Sequence, residues 1–182
     1  QFIANSVLET YLDSSVYTNN GIFILETMGR DTGWLAAAGA LAQMNGKSVA
    51  DFIYLPERAF DIETFLKDVT DKFKEQNQVY IVVSEGIGNA NGIAHELQEK
   101  TGIEARATIL GHVQRGGAPT LRDRVVASQM GYYAVELLEK GVGNRVVGMQ
   151  QNKIVDFDIQ EALSMKKTID KELYNIADEI SF

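Results

Sequence analysis

A chain of 182 residues, 45% hydrophobic and 23% charged, has enough apolar surface for one packed domain, alone or with extensions, and is too apolar to be disordered. A net charge of −8 argues against a general nucleic-acid binder, and the absence of cysteine excludes disulfides, thiolate metal sites and thiol nucleophiles. The longest apolar run, residues 34–42, is too short to cross a bilayer, and no basic flank leads into a long apolar stretch; the expectation is a cytoplasmic protein that binds neither nucleic acid nor membrane.

Apolar residues at helical spacing (Ile3, Val7, Tyr11, with Leu8 and Leu12) predict a helix over 2–12, followed by turns at 13–15 and 18–21. Residues 22–25 form a short, wholly apolar strand of the type buried on both faces of a parallel sheet. A helix is expected over 35–44, ending near Asn45-Gly46, and a strand over 49–55, stopped by Pro56. Asp61 caps a helix over 61–76 whose inner stripe is Ile62, Phe65, Leu66, Val69 and Phe73.

A strand at 79–83 is followed by a helix that opens at Asn91-Gly92 and ends at Gly102, and by a strand at 105–110. A long helix over 121–140 carries a capping-box pair, Thr120 and Asp123, and a stripe of Val126, Met130, Tyr133, Ala134, Leu137 and Leu138. Strands at 145–149 and 153–157 and short helices at 159–163 and 171–178 close the chain. Alternating strands and helices imply an α/β fold, three-layer α/β/α, with a mostly parallel central sheet. No linker calls for a second domain.

Ligands of open parallel sheets sit beyond the carboxyl ends of the strands. Three of those ends carry the polar chemistry: Met28-Gly29-Arg30, Ser84-Glu85-Gly86, and the stretch from Gly111 to Gly117 with His112 and Arg115. Gly29-Arg30 is either an anion site, with a glycine allowing close approach and a guanidinium fork, or an ordinary strand-to-helix turn with a solvated arginine. His112 and Arg115, three apart, either hold one phosphate together or are a backbone-bonded histidine and a surface arginine. Glu85 cannot favour an anion. It is suited to accept hydrogen bonds from sugar hydroxyls, unless it is a capping or solvated carboxylate. Two or three cations around one carboxylate fit a sugar phosphate. No spacing matches a metal site, a Walker A loop or a Ser-His-Asp arrangement. The second histidine, His95, is expected on a helix facing solvent.

Three segments carry a family resemblance: Glu26-Thr27-Met28-Gly29-Arg30, Ser84-Glu85-Gly86, and Arg106-Ala107-Thr108-Ile109-Leu110-Gly111-His112-Val113-Gln114-Arg115-Gly116-Gly117. With Pro119-Thr120, Asp123-Arg124-Val125 and Ala127-Ser128, they resemble 6-phosphofructokinase over about residues 2–148. The resemblance implies an enzyme of glycolysis that transfers a phosphoryl group from ATP or pyrophosphate to the 1-hydroxyl of fructose 6-phosphate. It implies that Met28, Gly29 and Arg30 bind the sugar phosphate, with Arg30 also catalytic through the transferring phosphoryl group. Glu85 would bind the sugar hydroxyls and His112 and Arg115 the 6-phosphate, while Arg106 would reach into a neighbouring subunit of a homo-oligomer.

Two departures stand out. Gly21 occupies the position, five before Glu26, where many relatives place another inter-subunit arginine. The family's Gly-Gly-Asp donor loop and its Thr-Ile-Asp-Asn-Asp segment with the catalytic base have no counterpart here. The chain therefore looks like the C-terminal, sugar-phosphate-binding half as a single domain over 1–182, inactive by itself, with magnesium held mainly by the missing half. Gly33-Trp34 before the alanine-rich helix leans toward the pyrophosphate-using or related bacterial branch. The alternative is a non-catalytic sugar-phosphate-binding or regulatory module.

Overall fold

A computed structural model describes residues 2–17, 20–44 and 47–166, together with Glu172, Asn175, Ile176 and Glu179. The turn residues 18–19, the helix end at 45–46 and most of the helix expected over 171–178 lie outside the described residues. The chain divides into two compact units, Gln1–Gly116 with Thr168–Phe182, and Gly117–Lys167.

In the first unit the elements run α1 (Phe2–Tyr17), β1 (Gly21–Thr27), α2 (Trp34–Ala40), β2 (Gln43–Met44), β3 (Lys47–Ser48), β4 (Phe52–Tyr54), α3 (Ile62–Gln76), β5 (Gln78–Ser84), α4 (Ala90–Thr101) and β6 (Ala105–Ile109). Short 3-10 turns at Glu85–Ile87 and Gly111–Arg115 follow β5 and β6. The main sheet has the order β4-β5-β1-β6 with every pairing parallel, and Ile24 lies opposite Ile81 on one side and Ala107 on the other.

Both faces of the central strands are covered, which is why they read as unbroken apolar runs. On one face Ile22, Ile24, Val79, Ile81 and Val83 meet Phe65, Leu66 and Val69 of α3 and Ile93, Ala94 and Leu97 of α4. On the other, Leu25, Tyr80 and Val82 meet Val7 of α1 and Ala36, Ala37 and Ala40 of α2. The small side chains of α2 keep it close to its neighbours: a Cβ on Gly39 would stand 2.6 Å from Ile3. This is the expected three-layer α/β fold, and its parallel strands bring the ends of β1, β5 and β6 to one edge.

Several boundaries move. Helix α1 runs through Asp13-Ser14-Ser15 instead of turning there. The Ser14 hydroxyl donates back to the Tyr11 carbonyl at 2.8 Å and accepts from Gln78 at 3.3 Å, so tertiary bonds hold a turn-prone sequence helical. Helix α2 stops at Ala40, and residues 43–44 pair antiparallel with 47–48. The strand expected over 49–55 narrows to β4 because the Asp51 carboxylate takes the N–H of Tyr80 (2.8 Å). Regular pairing begins one residue later. Asp61 caps α3 as expected, accepting from Thr64 N at 2.8 Å.

The second unit holds α5 (Leu121–Glu139), β7 (Arg145–Gln150), β8 (Lys153–Asp158) and α6 (Ile159–Ser164). The capping box of Thr120 and Asp123 starts α5. β7 and β8 pair antiparallel, joined by Gln151 and Asn152, both at positive φ, as a tight hairpin requires. Val126, Met130, Tyr133, Ala134 and Leu137 are half-buried as expected, but Leu138 is exposed. It lies about 100° around the helix from Leu137, outside the covered stripe. Asp156 accepts from Tyr133 Oη at 2.7 Å and Arg145 Nε at 2.5 Å, and these bonds hold its carboxyl below the usual range.

Candidate functional site: three strand ends around one pocket

The chain leaves β1 in a sharp turn. Arg30 sits at φ 52°, a left-handed conformation uncommon for a residue with a Cβ. A Cβ on Gly29 would run into the carbonyl of Thr32, whose N–H in turn bonds Gly29 O at 3.0 Å. The turn ends at Gly33, whose N–H is shared by both carboxylate oxygens of Glu57, at 2.9 and 3.0 Å, just before α2. This sequence folds here only because glycine stands where backbone approaches backbone.

The other two strand ends close on this turn. Oε1 of Glu85, the first residue past β5, accepts from Gly29 N at 3.0 Å and from Arg30 N at 2.6 Å. Those two backbone bonds pull the Glu85 carboxyl below its ordinary range, aided by the charges of Arg115 and Arg30 and opposed by partial burial. Beyond β6, Oε1 of Gln114 accepts from Met28 N at 2.7 Å. Three successive amides of the first turn, at Met28, Gly29 and Arg30, are thus held by side chains from two other strand ends. Consecutive N–H groups converging on an oxygen form an anion-binding concavity.

A pocket of about 770 Å³ opens over this edge, lined by Met28, Gly29, Arg30, Glu85, His112, Gln114 and Arg115, with Phe2, Ile3 and Leu35 as its apolar side. Six of the seven residues expected at the site come together in it. Arg30, His112 and Arg115 are exposed, while Met28, Gly29 and Glu85 are half-buried. In a 3-10 turn, residues three apart eclipse one another, so His112 and Arg115 share one side. The arrangement offers three exposed cations around a carboxylate whose Oε1 already fills the Gly29 and Arg30 amides. That combination suits a ligand with an anionic group and hydroxyls.

Arg106 is not among the lining residues. It projects from β6 beside a second hollow, lined also by Thr10, Asp13, Ser14, Tyr80 and Thr108, and its guanidinium pairs with Glu104 (Nε to Oε1, 2.9 Å). His95 lies on α4, exposed, with its Nδ1 3.5 Å from Glu99, as expected.

Three positioning residues were not singled out in the sequence. Gln114 lies inside the quoted motif and carries no charge to draw attention. Glu57 follows Pro56 and gives no hint of its partner 24 residues away. Glu26 is the last residue but one of the buried strand β1, and its Oε2 accepts from Ala90 N at 3.2 Å at the start of α4. A carboxylate near the end of an otherwise apolar strand was the available signal, since buried acids need such partners.

Among the described residues no group of three or more His, Asp or Glu could hold a metal ion. No described helix is long and apolar enough to cross a membrane.

The sequence profile of the family described as Phosphofructokinase matches residues 4–138. The chain belongs to the phosphofructokinase family. It is 40% identical over 180 residues to the ATP-dependent 6-phosphofructokinase of Clostridium botulinum strain Hall, covering 97% of this chain and 55% of that protein. It is 44% identical over 162 residues to the ATP-dependent 6-phosphofructokinase of Bacillus thuringiensis strain Al Hakam, covering 87% of this chain and 49% of that protein. Among solved structures, a pyrophosphate-dependent phosphofructokinase from Marinobacter aquaeolei superposes with a TM-score of 0.78 at 27% identity, covering 94% of this chain and 48% of that one. The chain spans about half the length of the curated relatives it matches.

Proposed function

We propose that these residues are the sugar-phosphate-binding part of a 6-phosphofructokinase, forming its C-terminal domain, with the phosphate-donor part lying outside them. The carrying observation is the convergence of Met28, Gly29, Arg30, Glu85, His112 and Arg115 on one pocket. Fructose 6-phosphate would place its 6-phosphate against His112 and Arg115 and its hydroxyls against Glu85. Its 1-hydroxyl would then face Arg30. That guanidinium stabilises negative charge as the phosphoryl group transfers to the 1-oxygen. The base that takes the hydroxyl proton, and the groups that hold magnesium with the donor, belong to the part outside this chain. By itself the chain is inactive.

ATP is the donor we favour, since the Clostridium botulinum and Bacillus thuringiensis relatives at 40% and 44% identity carry it in their names. Gly33-Trp34 instead favours pyrophosphate, the donor of the Marinobacter enzyme. Assaying the protein expressed from its whole reading frame, in the cytoplasm of a host lacking the activity, with each donor in turn distinguishes them. Phosphorylation of fructose 6-phosphate with neither donor overturns the enzymatic reading. It leaves the second reading, a sugar-phosphate-binding module, which the same pocket residues support.

A further inference from the structure

The 3-10 turn that carries His112 and Arg115 has few anchors. Its backbone is held by Leu110 N to Glu26 O at 3.1 Å, Val113 N to Leu110 O at 3.3 Å and Gly116 N to Val113 O at 3.0 Å. None of its residues is buried. Among the described residues, its one side-chain hydrogen bond to the rest of the chain is Gln114 Oε1 to Met28 N, at 2.7 Å across 86 residues of sequence. That bond ties the turn bearing two cations to the turn bearing Gly29 and Arg30.

The same bond fixes which end of the carboxamide is which. The N–H of Met28 needs an acceptor, so the oxygen faces it, and the Nε2 amide faces away. Among the described residues Nε2 has no hydrogen-bond partner, and Gln114 lines the same pocket as His112 and Arg115. Its two N–H donors are thus offered to whatever anion the flanking cations attract.

We propose that Gln114 does two things in the site, as a brace and as a donor. Its oxygen holds the Met28 amide, fixing the β6 turn against the β1 turn. Its nitrogen donates to an oxygen of the bound sugar phosphate. The donor role rests on the sugar-phosphate reading above; the brace does not.

Two variants separate the roles in the protein expressed from its whole reading frame. Gln114→Ala removes both. Gln114→Glu keeps an acceptor for Met28 and replaces the donor with an anionic oxygen. Hydrogen-exchange mass spectrometry of the β1 turn reads the brace. Exchange there is faster in Gln114→Ala and unchanged in Gln114→Glu. Wild-type exchange in Gln114→Ala overturns the brace. Steady-state kinetics with fructose 6-phosphate read the donor. KM rises about tenfold in Gln114→Ala and more in Gln114→Glu, with kcat within about twofold of wild type. A wild-type KM in Gln114→Glu overturns the donor role. If the unmodified protein shows no response to fructose 6-phosphate, the sugar-phosphate reading fails while the exchange result still decides the brace.

Discussion

Glu85 is joined to Arg30 through the backbone and not through the guanidinium: Oε1 accepts from Arg30 N at 2.6 Å, and from Gly29 N at 3.0 Å. The carboxylate therefore shapes the turn without neutralising the arginine by a direct ion pair. The guanidinium stays exposed over the pocket, placed by a left-handed backbone at φ 52°. Only Oε1 holds the turn, and on the proposed sugar-phosphate reading Oε2 would accept from a ligand hydroxyl.

Separating the Arg30 side chain from its backbone tests this arrangement. In the protein expressed from its whole reading frame, Arg30→Ala lowers kcat by about 100-fold, the effect of removing a donor worth about 3 kcal/mol to the transition state. KM for fructose 6-phosphate changes much less. Arg30→Gly loses the same activity, yet melts no lower than Arg30→Ala, because glycine suits the positive φ. Equal losses in kcat and in sugar-phosphate affinity count against the role, and a lower melting point for the glycine variant counts against the backbone argument.

Glu85 should also give the fold a measurable acid sensitivity. Its carboxyl is held below its ordinary value of 4.5, chiefly by the Gly29 and Arg30 amides, so it binds a proton less readily folded than unfolded. Its contribution to stability is complete above the ordinary value and is lost as pH falls through the lowered one. Melting temperatures measured between pH 6 and pH 3, as a rough span for carboxylate titration, fall less steeply for Glu85→Gln than for the unmodified protein. Parallel curves would remove Glu85 from the acid response.

How much of this was legible in the sequence differs by kind of feature. β1 and β5 were plain because central parallel strands are apolar on both faces, and α3 was plain because its inner stripe keeps helical period behind a capping aspartate. The six pocket residues could be found because parallel strands send all their carboxyl ends to one edge. Hidden features depend on partners distant in sequence. Ser14 looks like a turn residue until Gln78 is seen against it. Asp51 looks like part of a strand until its carboxylate is seen on Tyr80 N. Gln114 has no charge or pattern that announces a bond to Met28. Side chains that satisfy backbone donors leave no periodic trace.

Gly29→Ala isolates the close approach in the β1 turn. The added methyl meets the carbonyl of Thr32, which is backbone and cannot swing away. The turn must shift, carrying off the amides that Glu85 and Gln114 hold. We expect destabilisation of about 1–3 kcal/mol, typical of inserting an atom into filled space. Fructose 6-phosphate binding should fall by at least about tenfold. Urea unfolding and calorimetry measure the two. Unchanged values for both would mean the turn has more room than its geometry indicates.

His112 and Arg115 should behave as a binding pair without a part in turnover. His112→Ala and Arg115→Ala each raise KM for fructose 6-phosphate, by about tenfold or more for the charged donor, and leave kcat near wild type. Both residues are exposed, so raising ionic strength should weaken binding in the unmodified protein more than in Arg115→Ala. An unchanged KM in Arg115→Ala sinks its assignment to the phosphate.

Arg106 gives the test of assembly, because it lies outside the pocket that gathers the other expected residues. Its exposed pair with Glu104 contributes at most about 1 kcal/mol, so Arg106→Ala should leave the melting point nearly unchanged. If the guanidinium serves the site of a second copy in a homo-oligomer, Arg106→Ala raises KM for fructose 6-phosphate although its own pocket is intact. Mixing Arg106→Ala subunits with Arg30→Ala subunits then separates action within a chain from action between chains. A site built from an intact pocket on one subunit and an intact Arg106 on the next recovers full function, so dissociated and reassembled mixtures regain turnover at the unmodified KM, which neither parent has. Mixtures no more active than the average of their parents place Arg106 at its own subunit's site, or at none.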